Sequence, residues 1–260
     1  MVFSRAQLSD EDKERIDKRR IKINRVADIL AFVLSAILFI FCLKDTIFVG
    51  VGVLRTVLWG ILAASLLAGV IKGRKSFIIF TLTVNFIALA FVSVLSLYTF
   101  GFHSVSKWKY NAQRKYVDRK HNGNSDCFPD KLPDDIEDYS IDYMPSIMQG
   151  TGHFRVRFRT SAEQIEKYEK EYSEKAIYTI PLKDFGGEFI INVQEFSPEA
   201  EVSYEDDKSL DVAYSQTFWE GHENEATVYV TSAVHDWNHP HSGAVIINRS
   251  ECMIEFTQLG

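Results

Sequence analysis

The chain has no Gly-rich phosphate loop, no Gly-x-Ser-x-Gly nucleophile elbow and no His-Glu-x-x-His helix, so three common routes to catalysis are closed. It has no internal repeat and no low-complexity tract. Cysteine is scarce, with Cys42, Cys127 and Cys252 the only three. Cys42 follows Phe39, Ile40 and Phe41 where lipidation wants small residues, so it is not a lipoprotein cysteine. Cys127 and Cys252 are the only thiols of the polar half, and a disulfide there is either this pair or none. What the first hundred residues lack is charge over long stretches, and that absence decides the architecture.

Averaged over the chain, 46% hydrophobic residues and a net charge of -6 suit an ordinary soluble protein. The halves differ. Up to His103, Lys and Arg outnumber Asp and Glu by 13 to 7, or +6; beyond it the counts are 16 and 28, or -12, together the -6 of the whole. A hydrocarbon core about 30 Å thick takes about 20 apolar residues as helix. Residues 26–43 and 77–102 meet that with only Asp28 charged. Residues 47–71 are long enough but carry Arg55, whose long side chain can snorkel to water at an interface. Three transmembrane helices are therefore expected within 26–103, with a re-entrant stretch through 49–54 as the competing reading of the second. No small-x-small cleavage site follows the first run, which reads as a retained anchor.

Basic residues flanking spans prefer the cytoplasm. Eight Lys and Arg between Arg5 and Arg25, then Lys72, Arg74 and Lys75, place the basic N-terminal helix of 1–25 inside and, after three spans, the C-terminal domain outside. Lys107, Lys109, Arg114, Lys115, Arg119 and Lys120 pull the other way, but large domains cross despite such charge. The expected protein is a multi-pass cell-membrane protein with a cytoplasmic N-terminus.

Ser9-Asp10-Glu11-Asp12 has the form of a capping box and should start a helix that can run into the first span. In the second span Gly60, Ala64 and Ala68 recur every fourth residue, a small face that lets another helix approach. Asn85 in the third span needs a polar partner and should face a neighbouring span; with no ionisable companion it does not make a transport path. Residues 104–125 read as a basic, aromatic juxtamembrane linker helix, and the prolines 129, 133 and 145 mark an extended or looped stretch.

The remaining domain, 126–260, alternates as a water-facing fold does. Phe154, Val156 and Phe158 interleave with Arg155, Arg157 and Arg159, a strand with one wet face. Ser161-Ala-Glu-Gln164 opens a helix with Ile165, Tyr168 and Tyr172 on one face. Further strands are expected at 176–180, 188–194, 212–219, 226–234, 244–248 and 252–257, with Gly186-Gly187 a turn. The fold class is three membrane helices plus an α+β domain with a mainly antiparallel sheet.

His235, His239 and His241 could supply three nitrogens to a zinc ion, but Pro240 splays its two neighbours and strands on both sides make this a hairpin loop. The structural alternative has Asp236, Asn238 and Ser242 closing turn hydrogen bonds over Trp237, with Trp237, Asn238, His239 and His241 available to a partner. The three arginines could take an anionic glycan, lipid or nucleic acid; a solvated face paired across to glutamates is the plainer account in so acidic a domain, and nucleic acid is disfavoured. Asn248-Arg249-Ser250 matches a glycosylation sequon.

Phe128-Pro-Asp-Lys-Leu-Pro133, Tyr143-Met-Pro-Ser-Ile-Met-Gln-Gly150 and Asp236-Trp-Asn-His239 before an apolar strand resemble a group of uncharacterised membrane-anchored or exported proteins of Gram-positive bacteria. The resemblance implies a bacterial surface setting and no particular activity. Together these readings point to a non-enzymatic, membrane-tethered domain that binds, senses or scaffolds, with the bilayer and an unknown protein or surface ligand as partners and no cofactor. An accessory subunit packing through its spans, and a metal-dependent hydrolase, are the alternatives.

Overall fold

The computed structural model describes residues 9–72, 83, 86–87, 90–91, 101–120, 127–146, 150–185, 190–192, 209–234 and 240–260. The chain divides into two units, Met1–Ile47 with Gly52–Tyr98, and Phe48–Val51 with Thr99–Gly260.

In the first unit α1 (Asp10–Phe48) starts where the capping box puts it. The Asp12 backbone N–H donates to Ser9 Oγ at 3.2 Å, and Ser9 Oγ donates to the Asp12 carboxylate at 2.8 Å. The helix then runs unbroken for 39 residues. Gly50 (φ 94°) and Gly52 (φ 74°) adopt left-handed backbone and end the apolar run that the sequence reading carried through from residue 47. α2 (Val53–Lys72) returns along α1: Thr46 and Thr56 share a 2.8 Å hydroxyl bond, Arg55 pairs with Asp45 at 3.6 Å, and Leu62 and Leu66 pack with Ala31 and Phe32. Among the described residues one stretch, Ile29–Phe48 with mean hydropathy 2.1, is long and apolar enough to cross a membrane, and Val53–Ala68 is apolar but shorter. The apolar stretch of α1 thus sits several residues later than the expected span at 26–43, and the second apolar helix starts at Val53 rather than 47. Of the expected third span, Thr83, Phe86, Ile87, Ala90 and Phe91 are helical and exposed; its other residues, Asn85 included, lie outside the described ones.

The second unit is built on seven antiparallel strands in the order β1-β2-β3-β9-β8-β7-β4. They are β1 (Phe102–Ser104), β2 (Glu137–Met144), β3 (His153–Arg159), β4 (Tyr178–Pro181), β7 (Ala226–Val234), β8 (His241–Asn248) and β9 (Met253–Leu259), while β5 (Ile190–Asn192) and β6 (Ser209–Asp211) pair separately. The mainly antiparallel α+β reading holds. β1 and β2 were read as span end and loop. Phe102 is instead buried in the sheet, and Gly101 packs so tightly that a Cβ would collide with the Tyr143 carbonyl.

Alternation in β3 sends Phe154, Val156 and Phe158 to one face, where they join Ile254, Phe256, Val245 and Ile247. Helices Tyr110–Lys120 and Ala162–Lys175 cover that face with Tyr110, Val117, Ile165 and Tyr172. The segment expected as a juxtamembrane linker is therefore partly a core helix, because Tyr110, Gln113 and Val117 recur at helical spacing beneath its basic surface. Ser161 starts its helix without a side-chain cap; Asp135 takes the Thr160 hydroxyl at 3.1 Å and the Ser161 N–H at 3.3 Å instead.

The opposite face, with Val228, Val230, Ala244, Ile246 and Met253, is covered by Leu210, Val212, Tyr214 and Trp219. The strand expected at 212–219 is not one. Side chains of the sheet bind this strap where a neighbouring strand would: Ser242 Oγ donates to the Asp211 carbonyl at 2.5 Å, Thr257 Oγ1 to that of Ala213 and Arg155 Nη1 to that of Tyr214 at 2.9 Å. It ends in the short helix Gln216–Trp219.

Candidate functional site

The polar chemistry of the second unit gathers where the strap crosses β3 and β9. Every described residue of β9 except Leu259 is buried, and the strand carries one acid, Glu255, with no exposed surface. Its Oε1 and Oε2 accept the Ser215 N–H at 3.1 and 3.2 Å, and Oε2 accepts the Trp219 indole N–H at 2.6 Å. Burial pushes the Glu255 carboxyl up to about 7, against the opposing pull of Arg155, the Ser215 N–H, Trp219 and Arg157. Trp219 is itself fully buried, so the acid and the indole satisfy each other in the core.

The three arginines of β3 point to this same face and meet different fates. Arg155 forms an ion pair with Asp142 on β2, which also lies 2.8 Å from His153 Nε2. Burial opposes ionisation of Asp142, but its bonds with His153 and Arg155 outweigh that and hold the carboxyl well below its usual range. Arg159 pairs with Asp138 at 3.3 Å and Glu251 at 3.6 Å. Arg157 has no carboxylate within ion-pair distance among the described residues; it donates to Ser215 Oγ and lies over the Phe218 ring at 5.3 Å. A solvated stripe paired to glutamates is thus corrected: two of the three acids are aspartates, and Arg155 lies beneath the strap, its side chain 21% exposed.

Beside Arg157 lies an open groove of about 580 Å³. β1 pairs with only Ile141–Tyr143 of β2, so among the described residues no strand pairs with Asp138 to Ser140 on that side, where a bulge puts Asp138 at φ 52°. Arg157, Arg159, His103, His222, Asp138 and Glu220 line the space.

The residues singled out from sequence are placed elsewhere. β7 and β8 pair up to Val234 and His241, so the expected hairpin connection is present, and His241 is exposed at its foot. His235, Trp237, Asn238 and His239 lie outside the described residues, and no metal-holding group of three His, Cys, Asp or Glu occurs among the described ones. Cys127 and Cys252, the expected pair, are not joined by a disulfide in this structure. Cys127 Sγ lies 3.6 Å from the Thr257 carbonyl, while Cys252 sits before the other end of β9, roughly 17 Å away along the strand. Gly60 of α2 does receive α1 closely, as a Cβ there would stand 3.1 Å from the Phe39 ring; Ala64 is exposed, Ala68 half-buried, and the buried stripe is Leu62, Ala63 and Leu66. Asn248 of the sequon is buried, its amide donating to the His222 carbonyl at 3.2 Å, which closes it to glycosylation in the folded state.

Comparison with protein-family models, with curated proteins and with solved structures gives no match. The class that the fold defines is an antiparallel α+β domain joined to an apolar helical hairpin, and its function rests on the geometry above.

Proposed function

We propose that the chain is a membrane-tethered binding domain, crossing the bilayer three times, with its N-terminus in the cytoplasm and the unit from Thr99 onward outside. The observation that carries this reading is the turn Phe48–Val51. It joins α1 to α2 yet belongs to the folded second unit: Val49 is buried in that core, and Gln113 Nε2 donates to the Val49 carbonyl at 3.0 Å. An apolar helix ending in that turn supports an N-terminus on the far side of the bilayer. α2 then returns to the far side, and a third crossing, the apolar run of 77–102, brings the chain back to β1. The basic flanks set the far side as the cytoplasm. The open groove beside Arg157 supports a binding role.

The test is labelling of intact cells by an impermeant maleimide at Glu163→Cys in a Cys252→Ser background, position 163 being 79% exposed. Labelling before lysis is expected. Protection until lysis reverses the orientation and with it this reading.

A further inference from the structure

We propose that the groove between the free edge of β2 and the end of the strap binds a polyol phosphate ester, with Arg157, His103 and His222 on the phosphate. This deepens the binding-domain reading above and rests on it. The groove's donors outnumber what a carboxylate needs. Arg157 uses one of its five N–H groups on Ser215, and no described carboxylate pairs with it, although Asp142, Asp138 and Glu251 engage its two neighbours on β3. His103, His222 and Thr217 line the same space. An arginine fork with further donors around it suits the three acceptor oxygens of a phosphate ester better than the two of a carboxylate.

The rest of the groove fits what the phosphate would carry. Its volume of about 580 Å³ exceeds one phosphate and leaves room for a glycerol- or sugar-sized group. Asp138 and Glu220 on the rim offer acceptors to hydroxyls, and the Phe218 ring that backs Arg157 gives an apolar wall. In a half-chain of net charge -12, a guanidinium with no carboxylate at ion-pair distance among the described residues is the feature that calls for an anion from outside. Glycerol phosphate in solution and the headgroup of phosphatidylglycerol present this same chemistry.

The experiment is calorimetric titration of sn-glycerol 3-phosphate into the full chain in phosphatidylcholine nanodiscs. Saturable binding at one site per chain is expected, weakened roughly tenfold or more in Arg157→Gln, which loses a charge-assisted donor. Because Arg157 also supports Ser215, a rim variant that leaves this contact alone is paired with it: Glu220→Gln should tighten binding several-fold by removing a like charge. Replacing part of the lipid with phosphatidylglycerol separates the sources. A weaker apparent affinity there assigns the site to the headgroup, and an unchanged one assigns it to a soluble ester. No saturable binding in wild-type chain, or equal affinity in wild type and both variants, overturns the proposal. That failure is separable from failure of the tether reading, because maleimide labelling reads orientation whatever the groove binds.

Discussion

Glu255 makes the stability of the second unit depend on pH in a direction opposite to most carboxylates. An unfolded glutamate titrates near 4.5, whereas burial raises the folded group to about 7. Between those values the folded chain holds a proton that the unfolded chain releases. Raising pH across this window therefore favours unfolding, by about 1.4 kcal/mol per pH unit and on the order of 3 kcal/mol across it. The contribution is present in full below pH 4.5 and is lost as pH climbs through about 7. Asp142 works the other way, since its folded carboxyl is held low; its contribution is present above the ordinary 3.8 and is lost only in stronger acid. The two windows do not overlap, so a series from pH 5 to 8 isolates Glu255.

The perturbation is Glu255→Gln, which keeps the shape and removes the titration. At pH 5 the folded acid is itself protonated and, like Gln, has one carbonyl to offer the Ser215 N–H and the Trp219 indole, but Gln carries two N–H donors where the acid has one O–H, so one buried donor goes unmet. At pH 5 the variant should be less stable by about 1–3 kcal/mol. By pH 8 wild type has lost a similar amount and the gap should close. Denaturant midpoints of the full chain in micelles, followed by near-ultraviolet circular dichroism, give the difference curve. Other titrating groups contribute equally to both proteins and cancel. A difference that stays constant from pH 5 to 8, or widens with pH, refutes a raised Glu255.

Trp219→Ala should lower the melting temperature on the order of 10 °C, through a cavity worth about 3–5 kcal/mol, whereas Trp219→Phe, which keeps a ring but strands Glu255, should fall between it and wild type; equal melting of all three would remove the indole from the core. Thiol titration of unfolded, unreduced protein should find three free cysteines per chain, and a count of one would restore the Cys127–Cys252 bond.

The sheet was legible because its strands obey a simple rule. β3 alternates Phe, Val and Phe with arginines, β7 appears with its bounds at 226 and 234, and the Val234–His241 hairpin follows from two apolar runs around a Pro-containing loop. The helix from Ala162 was legible for the same reason, as Ile165 and Tyr172 recur at its own period. What stayed hidden are a strand with a broken period and a segment whose backbone partners are not neighbouring strands. β2 follows two prolines and breaks its alternation with a bulge at Asp138, so no period of two survives across it. The strap reads as a strand because Leu210, Val212 and Tyr214 alternate, yet what holds it are Ser242, Thr257 and Arg155, residues 31 to 59 positions from the carbonyls they bind, and no local pattern encodes their reach.

The site was missed by looking for chemistry in clusters. The histidines of the 235–242 loop drew the eye because they are adjacent in sequence, while the buried polar centre is assembled from Asp142, His153, Arg155, Ser215, Trp219 and Glu255, no two of which are neighbours in the chain. One signal was available. In Met253-Ile-Glu-Phe-Thr a single acid stands in an otherwise apolar strand start, and a carboxyl there must either face solvent or find several donors. The arginines of β3 supply the charge that could answer it, at the same period of two. A strand with one acid beside a strand with three bases is the pattern that separates this core from an ordinary apolar one. Once Asp142, Asp138 and Glu251 are assigned to Arg155 and Arg159, Arg157 is the β3 arginine with no carboxylate at ion-pair distance among the described residues.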